Sequence, residues 1–343
     1  MDQQMNEWTR VMHARKWMKQ TESFLPLWHG YIGYKFGLFD ALQGGASLAE
    51  MNLRLKRPLT KLALERWLEV GVAVRHLKKR GWRYYPSRRL KYQLSQQDER
   101  SVGFMLQEMM ELHIPALIAY PDFLESGKQK TYDGSEHGQV VAKTSTLVET
   151  VAFPIVQQLL RQTDVQSLLD IGCGHGGYLR KLHGLEPNWH LKGIDLEESV
   201  IQEAIERDDD GSIHFEVADF MDWESDEQFD VVMMNNMLYY FSPEQRIDLL
   251  ERMRARLEEG GEAILVTPLA ETPLGARFAS AFNAFMTLHD NLYPLPTVQR
   301  LRMQMTEVGF ENIRFIPFIP EGSWYIVMAE RGHADVPVEP IEV

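Results

Sequence analysis

One segment, Leu168–Leu179, constrains the fold of this chain more than any other feature of its sequence. It reads Leu-Leu-Asp-Ile-Gly-Cys-Gly-His-Gly-Gly-Tyr-Leu, which is an apolar strand, a turn rich in glycine and the start of a helix. Glycine permits a tight turn and lets a ligand approach the backbone closely, and the first N–H groups of a helix attract anions. The segment therefore predicts a ligand at a strand-to-helix turn.

Strand and helix patterns alternate from Val165 onward. The predicted strands are short apolar runs at 167–171, 191–195, 214–217, 229–234 and 263–266, with two late strands near 313–317 and 324–329. Such alternation predicts an α/β fold with a mainly parallel, doubly wound sheet. In these sheets the ligand binds at the carboxyl ends of the strands, where the strand order reverses.

Two ligand classes fit the glycine turn. The pattern Gly172-x-Gly174-x-x-Gly177, followed by Asp195 at the end of the next strand, matches a dinucleotide-binding fingerprint. NAD and an oxidoreductase are therefore one hypothesis. Asp170, however, stands directly before the turn, where a carboxylate suits the ammonium group of a bound amino acid better than a pyrophosphate. This residue favours S-adenosylmethionine.

A second acidic position follows the third strand. Asp219 offers a carboxylate to an exocyclic adenine amine, and the ring of Phe220 can pack on the base. With these acidic residues at the ends of successive predicted strands, residues 165–331 resemble a class I S-adenosylmethionine-dependent methyltransferase. The motifs that carry the resemblance are Asp170-x-Gly172-x-Gly174-x-Gly176, Gly193-Ile194-Asp195, Asp219-Phe220 and Phe229-Asp230.

The resemblance implies a role for each cofactor residue. Asp170, Gly172, Gly174 and Gly176 hold the methionine portion. Asp195 with Leu196 holds the ribose and the adenine edge, and Asp219 with Phe220 holds adenine. Asn235, at the end of the fourth strand, is a further expected contact. The expected product is S-adenosylhomocysteine.

The N-terminal region predicts a different architecture. Ser47 and Glu50 have the spacing of a capping box, which begins one of three short helices. Residues 82–85 and 90–94 predict a two-stranded ribbon around a turn at Pro86, which completes a winged-helix arrangement. Residues 20–100, including Phe36–Leu42, resemble the dimerisation domain of small-molecule O-methyltransferases, which implies a homodimer.

The fold prediction is thus a seven-stranded, doubly wound, Rossmann-like methyltransferase sheet with an N-terminal helical winged-helix domain. The expected boundaries are 1–100 for the winged-helix dimerisation domain, 101–163 for linker helices that contribute to the substrate pocket, 164–331 for the methyltransferase domain and 332–343 for a flexible tail.

Charge is divided unevenly along the chain. Residues 1–100 carry 19 Lys and Arg against 9 Asp and Glu, a net charge of +10, whereas the remainder carries −23. A basic winged helix permits salt-dependent binding to duplex DNA, so an S-adenosylmethionine-sensing regulator is an alternative function. The favoured interpretation is a solvated or intersubunit face, with no nucleic-acid partner. The basic residues concerned are His76, Lys78, Lys79, Arg80, Arg83, Arg88, Arg89 and Lys91.

Composition excludes other classes of protein. With one cysteine, Cys173, the chain can form neither an internal disulfide nor a cysteine-based zinc site. The sequence has no apolar run of about 18 residues and no secretory pattern near its start. We therefore expect a cytoplasmic enzyme that is not embedded in a membrane and holds no metal.

The sequence offers three candidates for the catalytic residues. Plant-like O-methyltransferases place a catalytic histidine shortly after the fourth strand, and Tyr239 stands at that position here. Tyr239 can orient an acceptor by hydrogen bonding, while His289 and His137 are candidate bases from the substrate cover. The alternative, which the missing histidine favours, is an acceptor that is already nucleophilic. The acceptor itself is expected to be a small, flat or aromatic metabolite methylated on oxygen, nitrogen or carbon.

Overall fold

The computed structural model describes residues 2–161 and 164–332, except for the side chains of residues 2–5, 135–139 and 142. These residues form two compact units. The first unit comprises the described residues up to Ile118 together with Ser135–Thr144, and the second comprises Ala119–Gly134 and the described residues from Ser145 onward. From position 333 the predicted tail lies outside the described residues.

The first unit is helical apart from one short hairpin. Its elements are α1 (Asp2–Thr21), α2 (Phe24–Lys35), α3 (Leu38–Ala41), α4 (Leu48–Arg54), α5 (Lys61–Ala73), β1 (Leu77–Arg80), β2 (Arg83–Pro86), α6 (Leu90–Gln93), α7 (Gly103–Glu108), a π-helical turn (Met109–His113) and α8 (Ile114–Ile118). The predicted capping box of α4 is confirmed, because Ser47 Oγ accepts from Glu50 N at 3.3 Å and Glu50 Oε2 accepts from Ser47 N at 2.7 Å. The fully buried rings of Phe39 and Trp67 pack in the core of this unit.

The ribbon is present but lies one segment earlier than predicted. β1 pairs with β2 in antiparallel register, with Arg80 opposite Arg83, so Gly81 and Trp82 form a two-residue loop. Gly81 has a φ of +60°, the backbone conformation that such a loop requires and that glycine adopts without strain. The prediction that residues 90–94 form the second strand was wrong, because most of this segment is the short helix α6.

The second unit is built on a seven-stranded sheet, as predicted. Its strands are β3 (Ser167–Ile171), β4 (His190–Asp195), β5 (His214–Val217), β6 (Phe229–Asn235), β7 (Leu257–Pro268), β8 (Phe310–Ile319) and β9 (Trp324–Arg331). The strand order is β5-β4-β3-β6-β7-β9-β8. The pairs from β5 to β7 are parallel, and β9 is antiparallel to both β7 and β8. The order reverses between β3 and β6, which therefore define the switch point.

Both faces of this sheet are buried under helices. Leu168 belongs to one apolar cluster and Leu169 to the other, because successive side chains of a strand point to opposite faces. The helices of this unit are α9 (Tyr120–Ser126), α10 (Gly134–Leu160, of which Ser135–Thr144 belong to the first unit), α11 (Gly177–His183), α12 (Glu198–Glu206), α13 (Gln245–Ala255), α14 (Ala276–Thr287) and α15 (Val298–Glu307). None of the helices in the described part of the chain is long and apolar enough to cross a membrane.

Candidate cofactor and methyl-transfer site

The glycine turn joins β3 to α11 through left-handed backbone. Gly172, Gly174 and Gly176 have φ values of +66°, +54° and +69°, which side-chain-bearing residues rarely adopt. The N–H groups of Gly172 and Cys173 both donate to the carbonyl of Ile194, at 2.8 and 3.0 Å. The turn is thereby fixed to the end of β4.

The glycines differ in the space around them. A Cβ on Gly172 would lie 2.6 Å from Met237 Sδ, and one on Gly176 would lie 2.5 Å from the Phe215 ring. A Cβ on Gly174 would meet nothing within 4 Å. Gly172 and Gly176 are therefore required for packing, whereas Gly174 borders open space where a ligand can approach the backbone.

Asp195 ends β4 beside this open space. Its Oδ2 accepts a hydrogen bond from Gly174 N at 3.0 Å, and its Oδ1 accepts one from Glu197 N at 3.0 Å. A carboxylate has about four acceptor positions, so it can also accept from the hydroxyls of a ribose. The neighbouring Leu196 is 68% exposed, so its apolar side chain is available to a flat base.

Asp170 and Asn235 face each other across the switch point. Asn235 Nδ2 donates to Asp170 Oδ1 at 3.2 Å, and the Asp170 side chain is buried. Burial raises the pKa of Asp170 well above its ordinary value, and the nearby Glu149 and Asp195 raise it further. Asn235 Oδ1 is buried without a hydrogen-bond partner among the described residues. This carbonyl oxygen is an acceptor for a ligand N–H group.

Glu149 is a residue of this site that the sequence reasoning missed. It lies on α10, and a Cβ on Gly177 would come within 2.4 Å of its Oε2 and 2.7 Å of its Oε1. Lys181 Nζ contacts Glu149 Oε1 at 2.7 Å. No motif marks Glu149, because only packing of α10 against α11 brings it to the glycine turn.

The predicted adenine residues lie in different surroundings. Asp219 is exposed, and its Oδ1 accepts from Met221 N at 2.9 Å, which fixes the loop after β5. The Phe220 ring is buried in the core, with its centroid 6.3 Å from that of Trp223. The Asp219 side chain is therefore exposed to solvent, whereas most of the surface of the Phe220 ring is buried by core packing.

Aromatic rings line the other side of the carboxyl ends of the strands. Tyr239 lies in a 3₁₀ turn after β6, 4.8 Å from the Tyr240 ring and 5.6 Å from the Phe282 ring of α14. Phe282 in turn stacks 6.4 Å from Phe285. Tyr240 itself is 43% exposed. The aromatic array therefore begins at an exposed ring in the turn that follows β6.

His289 ends this array. Its ring centroid lies 4.7 Å from Phe285 and 5.6 Å from Tyr132. Its Nδ1 is 2.9 Å from the carbonyl oxygen of Phe285. Because a carbonyl only accepts, Nδ1 donates its proton there, and when the ring is neutral Nε2 is therefore its unprotonated nitrogen. The neighbouring carboxylate of Asp290 is occupied elsewhere, by the hydroxyl of Thr131 at 3.2 Å.

The other two histidine candidates are His137 and His113. His137 falls within α10, but its side chain is outside the described residues. His113 lies in the first unit, where its Nε2 contacts Glu108 Oε1 at 3.2 Å. Across the described residues, no three His, Cys, Asp or Glu side chains form a group able to hold a metal ion.

Four of the basic residues of the first unit lie on the hairpin strands. Lys78, Lys79 and Arg80 of β1 are exposed. Arg83 of β2 is bound to Glu50 at 3.0 Å, which neutralises its charge locally.

Known proteins resemble this chain in sequence and in fold. Residues 168–261 match the family model described as a methyltransferase domain. Malonyl-[acyl-carrier protein] O-methyltransferase of Anoxybacillus flavithermus is 24% identical over 208 residues, which cover 60% of this chain and 71% of that protein. Further curated relatives align over less than half of their own length.

Two solved structures share the fold along nearly the whole chain. PigF with SAH superposes with a TM-score of 0.74 at 18% identity, covering 92% of this chain and 99% of that one. Human N-acetylserotonin methyltransferase in complex with SAM superposes with a TM-score of 0.72 at 17% identity, covering 94% and 98%.

The fold and the site define a class I methyltransferase. The carboxyl groups of Asp170 and Asp195 around the glycine turn fit a ligand with a ribose and a cationic amino-acid end. The chain contains a methyltransferase domain, and S-adenosylmethionine is the cofactor that the residues of this site fit.

Proposed function

We propose that this enzyme methylates a small, flat, aromatic acceptor. The observation that carries the proposal is the continuous aromatic array that runs from Tyr240, in the turn after β6, to His289. Offset and edge-to-face contacts between rings stabilise a flat guest in such surroundings. Human N-acetylserotonin methyltransferase, which shares the fold, is named for a small aromatic acceptor.

The backbone around the array is held rigidly. Arg246 is buried, and its guanidinium donates to the carbonyls of Leu238 at 2.8 Å and Pro294 at 2.7 Å. Tyr293 N donates to the carbonyl of Tyr239 at 2.8 Å. These bonds join the turn after β6 to the segment after α14, so the rings on the two segments keep a fixed spacing. A fixed spacing positions an acceptor for in-line displacement, where positioning supplies much of the rate.

Different residues around the glycine turn bind different parts of the cofactor. Asp195 accepts from the ribose hydroxyls, and Asp170 with Asn235 receives the polar methionine end. S-adenosylmethionine, when bound, supplies an activated methyl group on a sulfonium. Tyr239 donates a hydrogen bond that orients the acceptor, and the apolar rings exclude water from the nucleophile.

We assign His289 as the base for an acceptor that carries a proton. Its Nδ1–H is bound to the Phe285 carbonyl, so the tautomer that leaves a lone pair on Nε2 is already selected. A proton taken from an acceptor hydroxyl moves to Nε2 as the nucleophile attacks. His137 remains the second candidate from the sequence.

The experiment that tests the function measures binding and product in sequence. Calorimetry with S-adenosylmethionine, S-adenosylhomocysteine and NAD is expected to show binding of the first two only. A panel of phenols, aromatic amines and aliphatic alcohols is then assayed by formation of S-adenosylhomocysteine, and turnover is expected with the aromatic members. Turnover only with alcohols that have no ring would contradict the proposed acceptor class.

We further propose that the protein is a cytoplasmic homodimer. The helix α1 exposes two large rings, those of Trp8 and Trp17, which are 66% and 69% exposed. A second copy is the partner that the resemblance implies, and it would bury these rings. Light scattering is expected to give twice the chain mass, and Trp17→Glu is expected to give the monomer mass. The cysteine, Cys173, is a buried free thiol, which suits a reducing compartment.

A further inference from the structure

The carboxylate of Glu149 lies directly against the glycine turn. Both of its oxygens lie against Gly177, the last glycine of the pattern that also fits a dinucleotide. Its side chain is only 16% exposed, so its charge is poorly screened by water. Together with Asp170 and Asp195 it places three carboxyl groups around one turn.

We propose that Glu149 selects the class of cofactor, repelling the pyrophosphate of a dinucleotide and favouring the positively charged methyl donor. The inference rests on the cofactor assignment above and adds a residue and a role to it.

The physical argument concerns the space that a pyrophosphate needs. In dinucleotide-binding proteins the pyrophosphate lies against the glycine turn and the first residues of the following helix. Here the oxygens of Glu149 lie against the first residue of α11. An anion placed there would meet a like charge at close range and in a poorly hydrated setting, where repulsion is strong. A sulfonium or ammonium group would instead be attracted.

A purely structural role predicts different behaviour. Glu149 forms an ion pair with Lys181, whose Nζ lies 2.7 Å from Oε1. If the carboxylate served only to hold α10 to α11, removal of either partner would have the same effect. If Glu149 instead selects the cofactor, removal of Lys181 leaves the Glu149 carboxylate in place. It also removes an ammonium group that competes with the methyl donor for that carboxylate.

The experiment compares Glu149→Gln with the matched control Lys181→Met. Titration calorimetry measures the Kd of S-adenosylmethionine and of NAD for both variants and for the unmodified enzyme, and circular dichroism checks folding. We expect Glu149→Gln to weaken the methyl donor about tenfold, the size of a charge-assisted contact, while Lys181→Met leaves its Kd unchanged or lowers it. Glu149→Lys is expected to give measurable binding of NAD or of inorganic pyrophosphate.

The unmodified enzyme provides a test that does not depend on folding of a variant. Its Kd for the methyl donor is expected to rise with sodium chloride concentration more steeply than its Kd for S-adenosylhomocysteine, which lacks the sulfonium charge. Equal salt dependence, or equal weakening by both variants, would overturn the role of Glu149. Failure of the unmodified enzyme to bind either ligand would instead overturn the cofactor assignment.

Discussion

The donor side and the acceptor side of the site are built by different means. The donor side consists of left-handed glycines and carboxylates that end adjacent strands, and its geometry is set by backbone hydrogen bonds such as those to the Ile194 carbonyl. The acceptor side consists of aromatic rings from three separate segments, around Tyr132, Tyr239 and Phe282. Backbone geometry tolerates few substitutions, whereas a wall of side chains can change shape without loss of the fold. We therefore expect mutations to damage stability or donor binding on one side and acceptor selection on the other.

The largest effect is expected from a pair of glycine substitutions on the donor side. Gly172 and Gly174 both have left-handed backbone. A Cβ on Gly172 would lie 2.6 Å from Met237 Sδ, whereas a Cβ on Gly174 would have no neighbour within 4 Å. Gly172→Ala should lower the free energy of unfolding by about 3 kcal/mol or more, from backbone strain and overpacking together. Gly174→Ala should cost only about 1–2 kcal/mol. Urea denaturation measures both, and equal losses would mean that packing against Met237 is unimportant.

A large effect on chemistry is expected from the acceptor side. His289→Gln should lower kcat about 100-fold, because positioned proton transfer typically contributes at least that much, while leaving the Kd of the donor unchanged. His13, an exposed histidine of α1, supplies the control His13→Gln. A mild loss in kcat would show that the acceptor is nucleophilic without a base, the alternative that the sequence favoured.

The matching change on the donor side should alter binding. Asp195→Ala removes a carboxylate that fixes Gly174 and that we propose binds the ribose, so it should weaken S-adenosylmethionine about 50-fold by calorimetry. It should also abolish most of the increase in Tm that the ligand produces. Asp209→Ala, at an exposed position in the same unit, is the control for a lost negative charge. A small change in Kd would remove the ribose assignment.

A smaller effect is expected where the aromatic wall loses one ring. Phe282 contacts both Tyr239 and Phe285, so Phe282→Leu should raise the KM of an aromatic acceptor about fivefold, the value of a ring contact. The donor Kd should stay constant. Leu274→Ala, at a side chain that is 73% exposed, is the control. If the Kd of the donor changed as much as the KM of the acceptor, the donor side and the acceptor side of the site would not be independent of each other.

The smallest effect concerns the buried carboxyl of Asp170. Its pKa is raised in the folded protein, chiefly by burial, so the folded state keeps a proton that the unfolded chain releases as pH rises above the ordinary carboxyl pKa. Stability should therefore fall with rising pH until the folded group also ionises. Asp170→Asn should remove this fall and raise the free energy of unfolding at neutral pH by about 1 kcal/mol, with weaker donor binding. A variant less stable than the unmodified enzyme at neutral pH would contradict this.

Much of the fold could be predicted because its signals are local. The strands of the sheet follow apolar runs, and the capping box follows from the spacing of Ser47 and Glu50. The hairpin was misplaced because β1 carries three exposed basic residues and lacks the alternation that marks a half-buried strand. Asp230, one of the motif residues, has a structural role, since its Oδ2 accepts from the N–H groups of Gln166 and Ser167.

The sequence by itself determined the glycine turn, the acids at the ends of β3 and β4 and the order of strands and helices. These depend on backbone conformation and on periodicity, which neighbouring residues specify. Tertiary structure alone decided that Glu149 lies against Gly177, that Phe220 is packed in the core and that the His289 ring meets Phe285 and Tyr132. Contacts between segments far apart in the chain depend on the packing of whole elements, to which many weak interactions contribute and which no local pattern encodes.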